Sequence, residues 1–406
     1  MPRHRVVADR RSPHRSRRAW WLLAPLLVLV LIAGACGSSA KKSTTASGKK
    51  TVAFAFVGPL TGPNAQLGIN IRNGAKVALR EANSASSSFT FVLKEFDTQG
   101  DPAQATTAKD KFIDDNQVLG VIGPTFSGET KAVLPDLQDA NLVMVSASAT
   151  NAQLPNVVPN ETVFHRLIPD DDVQGAGISE WVQKVLKATT AAYINDNSDY
   201  GKGLADGTQQ LLEKVNVKTV ATDVIDPKAE SYAAAVTKVK AAKPDIVFYG
   251  GYYAEAGKLK KQLTDEGVTA TFVSGDGTLD LGFVRSAGAA GAEGAQLTCP
   301  CRLATEDQPG KLGAFAKSYK QINGADAGTY STQGYDAAHL LIDGVTKGND
   351  TRKKLLAYVE GLTSYDGVAG TIDFQTNGNS SSKDIYIYEV KGGKLTELGT
   401  VSKLVH

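Results

Sequence analysis

The chain has 406 residues, 42% of them hydrophobic and 21% charged, which is enough apolar material for two sizeable cores. Its formal charge of +2 is misleading: residues 1–35 carry seven Arg against one Asp, a balance of +6, so the remainder sits at 2 − 6 = −4. A mildly acidic body without a Lys/Arg stripe gives no support for nucleic-acid binding.

The basic excess belongs to an export signal. An Arg-rich start to Arg18 is followed by an apolar run from Trp20 to Ile32, then Ala33-Gly34-Ala35 and Cys36. That run is too short for a comfortable membrane span, so 1–35 is expected to be a signal peptide. The small residues ending in Cys resemble a bacterial lipoprotein cleavage box, which makes Cys36 the expected lipidated N-terminus. Ala33 departs from the Leu that such boxes prefer, and a simple secretory signal cut nearby is the alternative. Ser16-Arg17-Arg18-Ala19-Trp20 also resembles a twin-arginine signal, which leaves the export route open. Residues 36–50 then read as the lipidated Cys and a flexible Ser/Thr/Ala/Gly/Lys tether with nothing to bury.

From Thr51 short apolar runs alternate with helical periodicity, the pattern of an α/β protein with parallel central sheets. Strands are expected at 52–57, 89–96, 118–122 and 142–146, with helices at 65–83, 102–115 and up to about 139. The succession then restarts: strands at 191–195, 217–225, 246–249 and 271–273 enclose helices at 200–215 and 231–242 and one ending near 266. Two successions imply two Rossmann-like lobes. The remaining stretch, with a strand at 293–298, helices at 311–323, 331–346 and 351–360, and strands at 370–374 and 385–390, is too poor in parallel units for a third domain. It is expected to finish both lobes, giving one lobe of 51–170 plus 299–374 and a second of 171–298 plus 375–406. Several crossings between lobes make a multi-strand hinge.

The enzyme motifs are missing: no Gly-x-Ser-x-Gly elbow, no phosphate loop, no dinucleotide Gly-x-Gly-x-x-Gly and no paired-His metal motif. His165 reads as a strand-end residue satisfied by backbone and His339 as a core residue on a helix; Asp170-Asp171-Asp172 reads as a helix start complementing its dipole. Cys299 and Cys301, separated by Pro300, are a possible disulfide, and no metal or cofactor is expected. The better candidates are turns at strand ends. Ser127 opens a helix at the carboxyl end of the 118–122 strand, where free N–H groups and a hydroxyl would receive a small anion, unless Ser127 is merely an N-cap. Ser148, Ala149 and Thr150, then Tyr200, Tyr252 and Asp276, end other strands of the two halves. Together they offer neutral donors for an anion and a carboxylate for a cation, the requirement of a zwitterion.

These segments carry a resemblance. Val57-Gly58-Pro59-Leu60-Thr61-Gly62-Pro63 with Gly68, Asp97 with Asp101-Pro102, and Val121-Ile122-Gly123 with Ser127 are three of them. Phe164-His165-Arg166 with Gln174-Gly175, Asp199 to Gly203, and Phe248-Tyr249-Gly250-Gly251-Tyr252 are the others. They resemble the bacterial leucine/isoleucine/valine-binding solute-binding proteins of ABC importers, with the type I periplasmic-binding fold. The resemblance covers nearly the whole chain after Thr51. It implies a non-enzymatic, monomeric binder that delivers an amino acid to an ABC permease and its ATPase. Ser127 and Thr150 would then hold the ligand carboxylate, the Ser148 carbonyl and Asp276 the ammonium, and Tyr200 and Tyr252 would close over it. Asp276 stands where the branched-chain binders typically carry Glu, and Leu67 where they often carry an aromatic; Leu67 and Phe126 argue for an apolar ligand side chain.

Overall fold

The computed structural model describes residues 48–160 and 162–405, so the signal peptide, Cys36 and most of the tether lie outside the described residues. Lys50, the last residue assigned to the tether, already opens the first strand.

The first sheet is wholly parallel, in the order β2-β1-β3-β4-β5. It contains β1 (Lys50–Gly58), β2 (Phe89–Asp97), β3 (Val118–Ile122), β4 (Met144–Ser146) and β5 (Phe164–Arg166). β1 and β3 are buried along almost their whole lengths because helices cover both faces, which is why they read as continuous apolar runs rather than alternations. The linking helices are α1 (Ala65–Ala85), α2 (Pro102–Ile113) and α3 (Ser127–Asp139). Asp101 caps α2 by accepting from Ala103 N–H at 2.7 Å, with Pro102 in the first turn, where its missing N–H costs nothing.

The chain then builds a second sheet around β6 (Thr190–Asn195), β7 (Lys218–Val224), β8 (Ile246–Gly250), β9 (Thr271–Ser274) and β10 (Gln296–Cys299), all parallel. Its helices are α4 (Asp171–Trp181), α5 (Asp199–Lys214), α6 (Ala233–Ala242), α7 (Tyr253–Asp265) and the short α8 (Leu281–Ala287) and α9 (Ala289–Ala292). After β10 come α10 (Gly310–Asn323), α11 (Ser331–Thr346) and α12 (Arg352–Glu360), of which α11 and α12 lie against β3 of the first sheet. The α1–α11 contact is close because Gly74 and Gly334 sit at it. A Cβ on Gly74 would lie 2.0 Å from Ser331 O, and one on Gly334 would lie 2.2 Å from Ile71 O. A hairpin of β11 (Ser364–Asp366) and β12 (Thr371–Asp373) follows, and the chain returns to the second sheet as antiparallel β13 (Tyr386–Lys391) and β14 (Lys394–Thr400), ending in α13 (Val401–Leu404).

Three connections therefore pass between the sheets: β5 to α4, β10 to α10, and β12 to β13. Cys299 and Cys301, at the second, are joined as a disulfide. Arg166, at the first, is fully buried. It donates from Nε to Asn379 Oδ1 (2.9 Å) and from Nη1 to the carbonyls of Ala149 (3.1 Å) and Asn151 (2.9 Å), and it pairs from Nη2 with Asp170 Oδ2 (3.4 Å). One guanidinium thus ties the turn after β4, the cap of α4 and the third connection.

The β14 and β11 strands and the two short helices after Asp280 are absent from the sequence reading, whereas β12 falls within the strand expected at 370–374. β14 carries mostly half-buried polar residues, so neither an apolar run nor a clean alternation announces it. His339 is corrected: its side chain is 40% exposed on α11, and it bonds Tyr365 OH at 2.6 Å instead of packing in the core. His165 behaves as expected: it is buried in β5, Nδ1 meets Val163 O at 3.5 Å, and burial depresses its pKa to about 4.

Candidate functional site

The strand-end turns of both sheets meet. From the first sheet, β3 ends in Gly123, whose φ of +114° and lack of a Cβ let the chain pass Val57 O; a Cβ there would lie 2.4 Å from that oxygen. The turn delivers Phe126 and then Ser127, which is the first residue of α3 and not its cap, so the N-cap reading falls. Ser127 Oγ accepts from Asn151 N–H at 3.2 Å, leaving its own proton to donate, beside the N–H groups that any helix start leaves without internal partners.

The turn after β4 is held rigidly. Ser146 Oγ donates to Pro124 O (2.9 Å) and accepts from Ala149 N–H (3.0 Å), while Ser148 Oγ donates to Thr125 O (2.6 Å). The result is that Ala149 and Thr150 are fixed against the Ser127 turn. Thr150 Oγ1 is buried near the Asp171 carboxyl and makes no hydrogen bond of regular geometry.

The second sheet contributes aromatic rings and carboxylates. Ser198 caps α5 by accepting from Gly201 N–H at 2.8 Å, which sets Tyr200 in the first turn with its ring directed inward. Tyr200 OH donates to Asp276 Oδ1 (2.9 Å) and accepts from Gly277 N–H (2.9 Å). Glycines flank Asp276 because the Tyr200 ring occupies the space: a Cβ on Gly275 would lie 2.6 Å from Tyr200 OH. Tyr252, just before α7, stands 5.2 Å from the Tyr200 ring and 4.2 Å from the Phe126 ring of the opposite sheet, centroid to centroid. The other oxygen of Asp276 accepts from Tyr330 OH at 2.7 Å.

Ser127, Ser148, Ala149, Thr150 and Phe126 are thus on one wall and Tyr200, Tyr252 and Asp276 on the other. Leu67 lies buried in the first turn of α1 and shares a hydrophobic cluster with Phe126. That turn also meets the second wall: Asn64 Nδ2 donates to Glu255 Oε2 (2.9 Å) and Tyr253 OH accepts from Gln66 N–H (3.1 Å).

Four residues of the site escaped the sequence reading. The sequence marks Asp171 as a dipole-complementing residue, and it does open α4, donating its N–H to Thr150 O at 2.8 Å. Its carboxylate, however, is buried and neither oxygen makes a hydrogen bond of regular geometry. Burial first, and the charge of Asp276 second, push its pKa well above the usual carboxylate range; the nearby Thr150 hydroxyl and Arg166 pull the other way. Burial likewise raises Asp276, opposed by Tyr330 and Tyr200. Gln174, one turn after Asp171, donates to Thr298 Oγ1 (2.9 Å) and leaves Oε1 buried and unbonded. Tyr330 sits in a left-handed conformation before α11, with φ of 66°, and no local pattern marks it. Glu129, in the first turn of α3, accepts from Phe126 N–H at 2.8 Å and from the Thr98 hydroxyl; burial raises its pKa to about 7. Asp171 and Gln174 had a signal: an i, i+3 polar pair puts both on one helix face.

Chemically, one wall offers neutral donors and a helix start, and the other offers two mutually repelling buried carboxylates with acceptors in excess of donors. Among the described residues no cluster of three or more His, Cys, Asp or Glu could hold a metal ion, and no helix is long and apolar enough to cross a membrane.

The sequence profile described as periplasmic binding protein matches residues 51–394. A Leu/Ile/Val-binding protein, BraC3, of Rhizobium johnstonii is 30% identical over 349 residues, covering 85% of this chain and 93% of that one. The leucine-, isoleucine-, valine-, threonine- and alanine-binding protein of Pseudomonas aeruginosa is 27% identical, covering 84% and 90%. Among solved structures, the branched-chain amino acid transporter substrate-binding protein LivJ of Streptococcus pneumoniae, in complex with isoleucine, superposes with a TM-score of 0.78 at 25% identity, covering 86% of this chain and all of that one. The mixed α/β architecture with two largely parallel sheets is that of the type I periplasmic-binding fold.

Proposed function

The chain belongs to the periplasmic binding protein family, and from that premise we propose that it captures an α-amino acid with an aliphatic side chain, closes on it, and delivers it to an ABC permease and its ATPase. The observation that carries the reading is the set of buried acceptors without a hydrogen bond of regular geometry, Asp171 Oδ1 and Oδ2 and Gln174 Oε1, beside the doubly bonded Asp276. Buried acceptors of that kind are costly unless a ligand supplies the missing N–H groups. An ammonium supplies three. Ser127, the Thr150 hydroxyl and the start of α3 would take the carboxylate, and the Ser148 carbonyl would assist the ammonium. Phe126 and Leu67 would bound the apolar side chain, while Tyr252 covers it. A ligand lacking either charged group would leave its partners unpaired, which is the source of specificity.

The assigned lobes, 51–170 plus 299–374 and 171–298 plus 375–406, would rotate about the three connections. The protein carries out no reaction and acts as a monomer, and Cys36 carries a lipid that holds it at the outer face of the membrane. Periplasmic binding proteins are extracytoplasmic, in agreement with the Arg-rich apolar start. Replacing Cys36 with Ala should release the protein from membranes; continued anchoring would remove the lipid from this account.

Thermal unfolding of the fragment from Gly37 onward, against L-amino acids, their amides and small peptides, tests the ligand. Saturation at a hundred times Kd stabilises by about 2.7 kcal/mol. A shift with leucine, isoleucine or valine but not with leucinamide supports the reading. A shift with amides or urea alone overturns the zwitterion, and no shift with any of them moves the protein toward ligand sensing or another solute.

A further inference from the structure

A second cavity, of about 380 Å³, lies on the first-sheet side between α10, α11 and the β11–β12 hairpin, lined by none of the residues argued above to meet the amino acid. Its size falls within the roughly 300–1,000 Å³ of ordinary small-molecule sites. Four ring-bearing side chains, Phe315, Tyr335, His339 and Tyr365, line it. Tyr335 and His339, one turn apart on α11, stack with centroids 5.6 Å apart and planes 17° apart. Phe315 of α10 meets Tyr335 edge-on at 5.4 Å, and Tyr365 of the hairpin closes the other side, its hydroxyl 2.6 Å from His339 Nδ1.

The charge around these rings is one-sided. Glu81 accepts from Tyr335 OH at 2.7 Å at one end. Asp336, buried, holds the N–H groups of Val368 (2.8 Å) and Ala369 (3.0 Å), which fixes the hairpin and the position of its own charge. Asp343 Oδ2 stands 3.8 Å from His339 Nδ1. The cation in the lining, Lys311, is already paired with Asp366 at 2.7 Å. Carboxylates therefore outnumber cations in the lining, and the Tyr335–His339 stack leaves at most one face of each of those two rings, beside Phe315 and Tyr365, for contact.

We propose that this aromatic-walled, acidic cavity binds a small organic cation, with a methylated or alkylated ammonium against the ring faces and Glu81 and Asp336 supplying the field. Ring quadrupoles attract a desolvated ammonium, and surrounding carboxylates deepen that attraction. A bare metal ion is disfavoured here because rings and not convergent oxygens form the walls. The site is independent of the amino-acid reading: a tetraalkylammonium has no carboxylate for the Ser127 turn and cannot satisfy donor-seeking oxygens through N–H groups.

The test is NMR titration of the fragment from Gly37 onward with tetramethylammonium chloride, following the His339 imidazole, with sodium chloride as the ionic-strength control and with leucine present and absent. The expected result is a saturable shift at His339, unchanged by leucine, absent with sodium, and weakened at least several-fold by Tyr365→Leu and by Glu81→Gln. Glu81 is exposed, so Glu81→Gln keeps the fold if Tyr365→Leu disturbs the hairpin. A linear shift matched by sodium chloride, or saturation unaffected by both substitutions, overturns the site. Loss of the shift on adding leucine would assign the ammonium to the Asp276 cleft and overturn it equally.

Discussion

The two walls of the cleft solve opposite electrostatic problems with different means. The Ser127–Thr150 wall uses hydroxyls, main-chain N–H groups and a helix start, all neutral and, apart from the Thr150 hydroxyl, braced by internal hydrogen bonds. The Asp171–Asp276 wall uses buried carboxyl groups whose pKa values burial raises, and Asp171 makes no hydrogen bond of regular geometry. The difference follows from what each wall must face. A helix start already carries partial positive charge, so an anion needs no buried cation beside it. Among the described residues no equally compact main-chain device faces a cation from the second wall, where carboxyl groups are used and their burial must be borne until a ligand arrives. The neutral wall thus carries little electrostatic cost when empty, whereas the second wall bears the burial of its carboxyl groups.

The sharpest way to break that contrast is to remove one element from each wall. Asp276→Ala should reduce amino-acid affinity at least a hundredfold, because truncating one partner of a buried charge pair costs about 2–5 kcal/mol, while Ser127→Ala, which removes a neutral donor, should cost about 1 kcal/mol, or several-fold. Calorimetric titration of both variants measures this. Equal losses would mean that the walls share the load evenly, and undiminished affinity in Asp276→Ala would remove its ammonium role.

Glu129 is a charged intrusion behind the neutral wall, and its titration sharpens the comparison next. Its folded pKa of about 7 lies above the ordinary value of 4.5. The protonated form is therefore favoured in the fold: its stabilising effect is complete below pH 4.5 and is lost as pH rises toward 7. The loss amounts to about 3 kcal/mol at most by the linkage of 1.36 kcal/mol per pK unit. Glu129→Gln keeps an acceptor for Phe126 N–H and should flatten the fall in ligand-free melting temperature over that window. An identical pH profile for both proteins would show that Glu129 does not titrate there.

Asp171→Asn should separate the two states. Because burial already holds the Asp171 carboxyl toward its protonated form, the amide should leave ligand-free stability nearly unchanged, and it should weaken ligand binding by removing one acceptor from the ammonium. Denaturant unfolding and titration on the same variant check both; a loss on both counts would make Asp171 structural. The smallest effect is expected from Leu67→Tyr, which should reorder the preference among aliphatic side chains with little change in stability. An unchanged ranking would put Leu67 outside the pocket.

The regular parts of the fold were legible because physics repeats there. β1, β3 and β8 are apolar runs buried on both faces, and Ser127, Tyr200, Tyr252 and Asp276 follow strands at equivalent places, so recurrence marked them. Asp171 was visible as a helix start but not as a bare carboxylate, since its fate depends on Thr150 and Asp276 approaching from elsewhere in the chain. Tyr330 reaches Asp276 across 54 residues with no periodic context. β14 was lost because its pairing with β13 is carried by backbone bonds that polar residues make equally well.

Arg166 has a consequence for anyone wishing to retune this protein. Leu67, Phe126 and Asp276 are each on a wall and can be exchanged singly in a search for a new solute. The guanidinium cannot, because it answers simultaneously to Ala149, Asn151, Asp170 and Asn379. A combinatorial library aimed at a biosensor should randomise the former and leave the latter five untouched, since variation there would mix changes of taste with changes of articulation in every clone.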